Sequence, residues 1–191
     1  MNSEHNIILG IGRNTIILCS FALACQVMAD TSPTRMNAEK RDVSNKIIHH
    51  SLRLHCDAHR AFELFTVDTL LESWLTMVAD VEPLVGGKYE LFWEPEDRQN
   101  NSTIGCRVTA IERPKYVSFE WKSPEQFKHF ANDADPLTHV VVSFIPSDDS
   151  TEVHMIHSGW RSSAEWEEAR QWQDRAWRVA FNALDKQING E

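Results

Sequence analysis

Apolar residues recur with a helical period through the C-terminal part of the chain. Residues 166–188 contain no glycine or proline, and most of their apolar side chains fall on one broad arc of a helix. Ser162 and Glu165 stand at the spacing of a capping box, which satisfies free N–H groups at a helix start. The pattern predicts a long amphipathic helix whose apolar face covers roughly half of its circumference. A face that wide needs a partner surface that curves around it.

Alternating apolar and polar residues upstream predict a series of β-strands. Asp57 and Asp68 are suitable N-caps for two short helices, one over 58–66 and one through 70–75. Strands joined by short turns pair antiparallel, so the predicted fold class is α+β with one long helix covering an antiparallel sheet. The predicted strands are 46–56, 87–93, 103–112, 116–122, 138–145 and 152–157.

Alternation along these strands separates an inward face from an outward face. An apolar pocket with a few polar groups is the usual form of a small-molecule site. The same side chains would also make an ordinary filled core, and the sequence leaves both interpretations open. The inward set is Tyr89, Leu91, Trp93, Val117, Phe119, Trp121, Val140, Val142, Phe144, Val153, Met155 and His157.

The N-terminus has the layout of a secretory signal peptide. An apolar run within residues 14–27 follows Arg13 and ends at Val27-Met28-Ala29, a small-residue cleavage pattern. We therefore predict a signal peptide over 1–29, a polar linker over 30–45 and one domain over 46–191. The expected location is periplasmic or secreted. The alternatives are an uncleaved N-terminal membrane anchor and a lipoprotein that is processed at Cys25.

Composition excludes several classes of function. A net charge of −9 offers no basic stripe for nucleic acid and no attraction to an anionic membrane surface. The chain has no GxSxG, P-loop or Rossmann glycine motif, and it has no CxxC or HExxH pattern for a metal. We predict no catalytic residue, no metal site and no cofactor, although His157 or Glu120 could transfer protons in a closed cavity.

Two cysteines remain in the predicted domain after removal of the signal peptide. Cys56 ends the first predicted strand, and Cys106 lies inside a later one. An exported protein can form disulfides, but these two residues would bridge only with their Cα atoms within about 7 Å. The sequence leaves their pairing open.

Several segments of the chain together resemble the activator-of-Hsp90-ATPase-homologue group of the START/Bet v 1-like (SRPBCC) superfamily. The resemblance covers residues 46–189 and implies a helix-grip fold, in which a curved antiparallel sheet wraps the long helix around a hydrophobic cavity. Ala176 stands where the group often has glycine, and the stretch 124–136 is longer than the usual loop. The similar segments are 70–75 (LLESWL), 81–89 (VEPLVGGKY), 111–121 (IERPKYVSFEW) and 151–160 (TEVHMIHSGW), with Trp177, Ala180, Leu184 and Ile188 in the closing helix.

Two polar residues interrupt the apolar arc of the long helix. Gln173 lies near its middle and Arg170 near its edge, and buried polar groups of this kind need partners. We hypothesise that Arg170, Gln173 and His157 mark the polar end of a pocket, with His157 bonding to Gln173. Alternatively, Arg170 reaches solvent and Gln173 bonds to strand backbone. The full set of candidate cavity residues is Trp74, Tyr89, Leu91, Trp93, Phe119, Trp121, Met155, His157, Trp166, Arg170, Gln173, Trp177 and Phe181.

Three hypotheses of function follow from these observations. The first is an exported, non-catalytic domain that binds a small hydrophobic molecule between sheet and helix. The second is a protein-interaction module like the chaperone activator that names the group, with an unknown partner. The third is an enzyme of the cyclase or hydrolase type that acts on an aromatic or polyketide-like substrate. We expect neither a nucleic-acid partner nor a membrane span after processing.

Overall fold

A computed structural model of the chain describes residues 44–190. The predicted signal peptide and residues 30–43 of the linker lie outside the described residues. Among residues 44–190, no helix combines the length and the apolarity that a membrane crossing requires. In chain order the elements are β1 (Ile48–Leu54), α1 (Ala58–Glu63), α2 (Asp68–Leu71), β2 (Val78–Val81), β3 (Tyr89–Phe92), β4 (Val108–Glu112), β5 (Tyr116–Trp121), α3 (Lys128–Ala131), β6 (Thr138–Ser147), β7 (Ser150–Ser158) and α4 (Ala164–Asn189).

Five strands form a curved antiparallel sheet in the order β1-β7-β6-β5-β4, and β2 and β3 form a hairpin. Isolated bridges, Lys88 with Arg107 and Phe92 with Ser102, connect the hairpin to the chain before β4. The helix α4 covers the concave face of the sheet. The α+β class and the helix-grip arrangement that the sequence predicts are thus confirmed.

The helix α4 buries a narrower stripe than its sequence predicts. Its N-cap is Ser163, one residue after the predicted Ser162, and the Ser163 hydroxyl accepts from the Trp166 backbone N–H at 3.4 Å. Val179 is 70 % exposed, and Ala183 also faces solvent. The sheet contacts one row of side chains at three- and four-residue spacing, so apolar residues beside that row stay outside. The buried row is Trp166, Ala169, Gln173, Trp177, Phe181 and Leu184.

Three segments differ from the strands and loops predicted for them. The strand predicted over 103–112 begins only at Val108, because Ile104 and Gly105 form a turn in which Gly105 has a φ of 83°. The strand β2 is not predicted, since four residues are too few for a clear alternation signal. The long stretch 124–136 folds into a 3₁₀ turn followed by α3, and it buries Phe127.

Both cysteines of the domain are free. Cys106 is buried, and burial raises the pKa of its thiol to about 12. Cys56 is half-buried, and its pKa is also raised by burial, then by Asp57. Neither thiol therefore carries thiolate character at neutral pH.

Candidate functional site

A cleft of about 230 Å³ opens between α4 and the C-terminal ends of β3 and β5. Four of the seven tryptophans of the chain line it, and polar side chains from two loops form its rim. We call it the tryptophan cleft. It is lined by Trp93, Trp121, Trp172 and Trp177, by Gln173 and Ala176 between them, and at the rim by Glu94, Asn101, Ser102, Lys122 and Pro124.

The secondary structure places the aromatic walls of the cleft. Trp93 follows directly after β3, and Trp121 is the last residue of β5, so both side chains stand at the strand ends beside α4. Their ring centroids are 5.8 Å apart with the planes at 67°. Trp172 and Trp177 come from α4, and the Trp177 ring lies 4.7 Å from that of Trp121. At these distances the rings of Trp93, Trp121 and Trp177 form one contiguous aromatic surface.

Gln173 lies in the floor of the cleft and is only 4 % exposed. The indole Nε1 of Trp121 donates a hydrogen bond to Gln173 Oε1 at 3.2 Å. An indole N–H is a donor only, so this bond also fixes which end of the amide faces Trp121. The sequence hypothesis gave Gln173 the partner His157; in the structure its partner is Trp121.

His157 lies behind the cleft and is fully buried. Its Nδ1 accepts from Trp177 Nε1 at 3.2 Å, and its ring centroid is 4.6 Å from that of Trp160. Burial lowers the pKa of His157 to about 3, with a smaller contribution from His139. The ring is therefore neutral, with its proton on Nε2, and that N–H has no partner within residues 44–190. His157 thus orients Trp177 through a hydrogen bond and has no surface toward the cleft.

Arg170 lies outside the cleft, in an ion-pair network on the surface of α4. Its guanidinium donates to both carboxylate oxygens of Glu167, at 2.9 and 3.1 Å. Lys46 donates to the same carboxylate at 2.8 Å, and Gln171 adds a third donor. These hydrogen bonds hold the pKa of Glu167 well below its usual range, and the bond from Arg170 contributes most. The structure therefore separates Arg170 from Gln173 and His157, contrary to the hypothesis of one polar pocket end.

The other candidate residues lie in the filled part of the interior. Tyr89 stacks on Phe119 with ring centroids 3.6 Å apart, and Trp166 packs against Phe130 and Trp160. None of these side chains lines the tryptophan cleft. The candidates that belong to the core cluster and not to the cleft are Trp74, Tyr89, Leu91, Phe119, Met155, Trp166 and Phe181. Trp93, Trp121, Gln173 and Trp177 are the candidates that the structure brings together.

Several cleft residues were missed by the sequence reasoning. Trp172 lies on the predicted apolar arc next to Gln173, and that position was a usable signal. The rim residues come from loops without periodicity, so no sequence pattern indicated them. Their polar groups are largely engaged: Asn101 Nδ2 donates to Glu94 Oε1 at 2.8 Å, and Lys122 Nζ donates to the Ile104 carbonyl at 2.5 Å.

The chemistry that this arrangement supports is the binding of a flat apolar surface. The walls are aromatic and the rim is polar, which is the usual composition of a small-molecule site. No group of three or more His, Cys, Asp or Glu side chains within residues 44–190 is arranged to hold a metal ion. Fold and cleft together define a helix-grip domain of the kind that binds ligands or partner proteins.

Comparison with known proteins identifies the family. Residues 55–189 match the family described as activator of Hsp90 ATPase homolog 1-like protein, and the chain belongs to this family. No curated protein matches the chain significantly. Family membership supports a non-catalytic module for binding ligands or proteins in general, in agreement with the resemblance drawn from the sequence motifs.

Solved structures of low sequence identity share the fold. A protein from Mesorhizobium loti is 22 % identical with a TM-score of 0.62, and the match covers 75 % of this chain and 97 % of that one. An Hsp90 activator from Plasmodium falciparum is 21 % identical with a TM-score of 0.57, over 75 % and 96 % of the two chains. The Aha1 dimer from Colwellia psychrerythraea is 16 % identical with a TM-score of 0.58, over the same shares. Identities this low establish the fold alone.

Proposed function

We propose that this domain binds a small, flat, apolar molecule in the tryptophan cleft and does so without catalysis. The observation that carries the proposal is the cleft itself, in which four indole side chains line one opening to solvent. Aromatic rings buried in a protein usually pack against other protein groups. Here part of their surface is left uncovered at a concave site, where a second ring system would complete the packing.

The size of the cleft limits the ligand. Its volume of about 230 Å³ lies below the range of about 300–1,000 Å³ that is usual for drug-sized ligands. The volume suits a molecule with a single ring or two fused rings better than a long lipid chain. Because the core beneath the cleft is filled by Tyr89 and Phe119, which stack on each other, a longer molecule would have to extend out past the rim.

The same geometry argues against proton-transfer catalysis in the cleft. His157 is the buried histidine nearest to the aromatic walls, but it is fully enclosed and its Nδ1 is used by Trp177. A general base must come within hydrogen-bond reach of the proton that it removes. Glu120, the other acid–base candidate of the sequence, accepts from the Arg107 backbone N–H on the outer side of the sheet.

Titration with naphthalene tests the proposal, with intrinsic tryptophan fluorescence as the readout. Naphthalene is expected to quench the emission of the wild-type chain saturably. Ala176 lines the cleft between Trp172 and Gln173, so Ala176→Leu should fill it and weaken binding at least about tenfold. Ala183→Leu, an exposed position on the same helix, is the matched control and should bind like the wild type.

Two results would contradict small-molecule binding at this site. One is that naphthalene does not bind, and the other is that Ala176→Leu binds as tightly as Ala183→Leu. Protein binding would then be the function to pursue, because the relative from Plasmodium falciparum is named an Hsp90 activator. In that case Ala176→Leu should leave partner capture unchanged.

We also propose that the domain acts after export. The support is the apolar run within residues 14–27, which ends in Val27-Met28-Ala29. N-terminal sequencing of the protein from the periplasm of a Gram-negative host tests this. A mature chain that begins at Asp30 is expected. A lipid-modified Cys25, or a full-length chain held in the membrane, would favour the anchored alternatives.

A further inference from the structure

Gln173 presents an unused hydrogen-bond donor to the tryptophan cleft. Its Oε1 accepts from Trp121 Nε1, and within residues 44–190 its Nε2 has no hydrogen-bond partner. The side chain is only 4 % exposed, so the protein leaves this donor for water or a ligand in the cleft to satisfy.

The direction of this donor is fixed by its neighbour. Amide oxygen and nitrogen are easily interchanged in a structure, but the indole of Trp121 can only donate. The oxygen of Gln173 must therefore face Trp121, and the NH₂ group must face away from it. Among fully enclosed side-chain atoms of the described residues, His157 Nε2 is the one without a partner. Gln173 Nε2, also without one, thus keeps solvent access, and Gln173 lines the cleft.

Most of the other polar groups around the cleft are engaged within the described residues. Asn101 donates to Glu94, Ser102 Oγ donates to the Arg98 carbonyl at 2.6 Å, and Lys122 donates to the Ile104 carbonyl. Trp93 Nε1 donates to the Leu75 carbonyl at 2.7 Å. Within residues 44–190, the amide nitrogen of Gln173 and the indole Nε1 of Trp172 are the cleft donors without a partner. Gln173 is the more deeply buried of the two, so its nitrogen is the donor at the floor, where a ligand would be most desolvated.

We infer that the ligand is a flat aromatic molecule with a hydrogen-bond acceptor on its edge, such as a ring carbonyl oxygen, and that Gln173 Nε2 donates to this acceptor. This inference rests on the proposed function and adds the polar specificity of the site. A hydrocarbon of the same shape would displace water from the amide nitrogen and offer it no acceptor in exchange. A site that offers a buried donor discriminates strongly against the analogue that lacks the acceptor.

The pair 1-indanone and indane tests the inference, because the two molecules share a fused-ring frame and differ in one carbonyl group. The wild-type chain is expected to bind 1-indanone about tenfold tighter than indane or more, since indane leaves the donor unpaired. In a ¹⁵N-labelled chain, the side-chain amide signals of Gln173, assigned by their loss in a variant, should shift with 1-indanone and not with indane.

Two substitutions at Gln173 should remove the preference for the carbonyl. Gln173→Glu keeps the size and the acceptor for Trp121 but, when ionised, has no donor. Gln173→Met has no donor at any pH. Gln187→Glu is the control for the added charge, because Gln187 lies exposed on the same helix and donates to Ser73 Oγ. It should retain the wild-type preference.

The outcomes separate this inference from the proposed function. If the wild type binds both compounds equally, the Gln173 inference fails while the cleft remains a binding site. If neither compound binds, the proposed function fails and the inference fails with it. If folded Gln173→Met keeps the full preference for 1-indanone, another group is the donor and the role of Gln173 is overturned. The wild-type comparison stands even if a variant does not fold.

Discussion

The two ends of the interface between α4 and the sheet are built in different ways. At the filled end, Phe181 packs on Phe65 and Trp74 with ring centroids 6.3 Å from each. At the cleft end, Trp121 and Trp177 lie 4.7 Å apart, and part of the space beside them is open. Both ends use aromatic side chains on the same helix and at similar spacing. Aromatic content alone therefore does not distinguish a core from a site.

The two ends differ in some of the acceptors of their aromatic N–H and O–H groups. At the filled end, Trp74 Nε1 donates to the Leu64 carbonyl at 2.9 Å, and the Tyr89 hydroxyl donates to the Phe65 carbonyl at 3.0 Å. Backbone carbonyls of this kind come with the fold. At the cleft end, Trp93 also donates to a backbone carbonyl, that of Leu75, but Trp121 and Trp177 donate to the side chains of Gln173 and His157.

Side-chain acceptors require polar residues in the interior, and each leaves a surplus polar atom. For Gln173 this is the amide nitrogen toward the cleft, and for His157 it is the enclosed Nε2. Polar side chains that hold indoles in place cost stability compared with backbone acceptors. Both of these polar side chains lie at the cleft end of the interface.

The largest expected effect comes from breaking the filled end. Phe181→Ala should lower the free energy of unfolding by about 3–5 kcal/mol, because it leaves a cavity among Phe65, Trp74 and Trp177. Urea denaturation measures this. Val179→Ala on the exposed side of the same helix should change little, and so should Ala176→Leu in the open cleft. A Phe181→Ala loss no larger than that of Val179→Ala would remove the distinction between the two ends.

A smaller effect should come from acid, which acts on the cleft end through His157. Its folded-state pKa of about 3 lies below the ordinary value of 6.5, so below pH 6.5 the unfolded chain binds more protons. The contribution of His157 to the free energy of unfolding is then fully present above pH 6.5. Below pH 6.5 it falls by about 1.4 kcal/mol per pH unit, which amounts to about 2 kcal/mol at pH 5. Glu167 adds little there, since its carboxyl has an ordinary pKa of 4.5 in the unfolded chain and is still mostly ionised at pH 5.

His157→Asn isolates this contribution. Asparagine places an acceptor near the position of Nδ1, so Trp177 keeps a partner while the titrating group is lost. Urea denaturation between pH 5 and pH 7 should show a flatter slope than the wild type. His139, whose pKa is also lowered by burial, would account for a residual slope. An unchanged slope in His157→Asn would mean that His157 does not carry the acid sensitivity.

The sequence predicts the interior better than it predicts the cleft, for a physical reason. Strand alternation correctly places Tyr89, Phe119 and His157 in the interior, because successive side chains of a strand point to opposite faces of the sheet. The partner of His157 depends instead on side-chain rotamers across two elements, and it proved to be Trp177 rather than Gln173. The loops at the rim have no period at all. The alternation of residues along a strand thus predicts which side chains are buried, but it does not predict which buried side chains contact each other.

Arg170 shows the same limit and gives the smallest expected effect. The sequence placed Arg170 at the pocket, but Glu167 lies one turn earlier on the same helix, and its two carboxylate oxygens accept from Arg170 Nε and Nη2. An ion pair between residues three apart on a helix forms locally, so Arg170 binds Glu167 rather than entering the cleft. Arg170→Met should therefore leave naphthalene binding unchanged. It should alter stability too little to separate from the wild type in urea, because an ion pair that stays partly in contact with solvent contributes little. Calorimetric titration measures the first and denaturation the second. Loss of naphthalene binding in folded Arg170→Met would show that Arg170 belongs to the binding site, and that the cleft is not separate from the surface of α4.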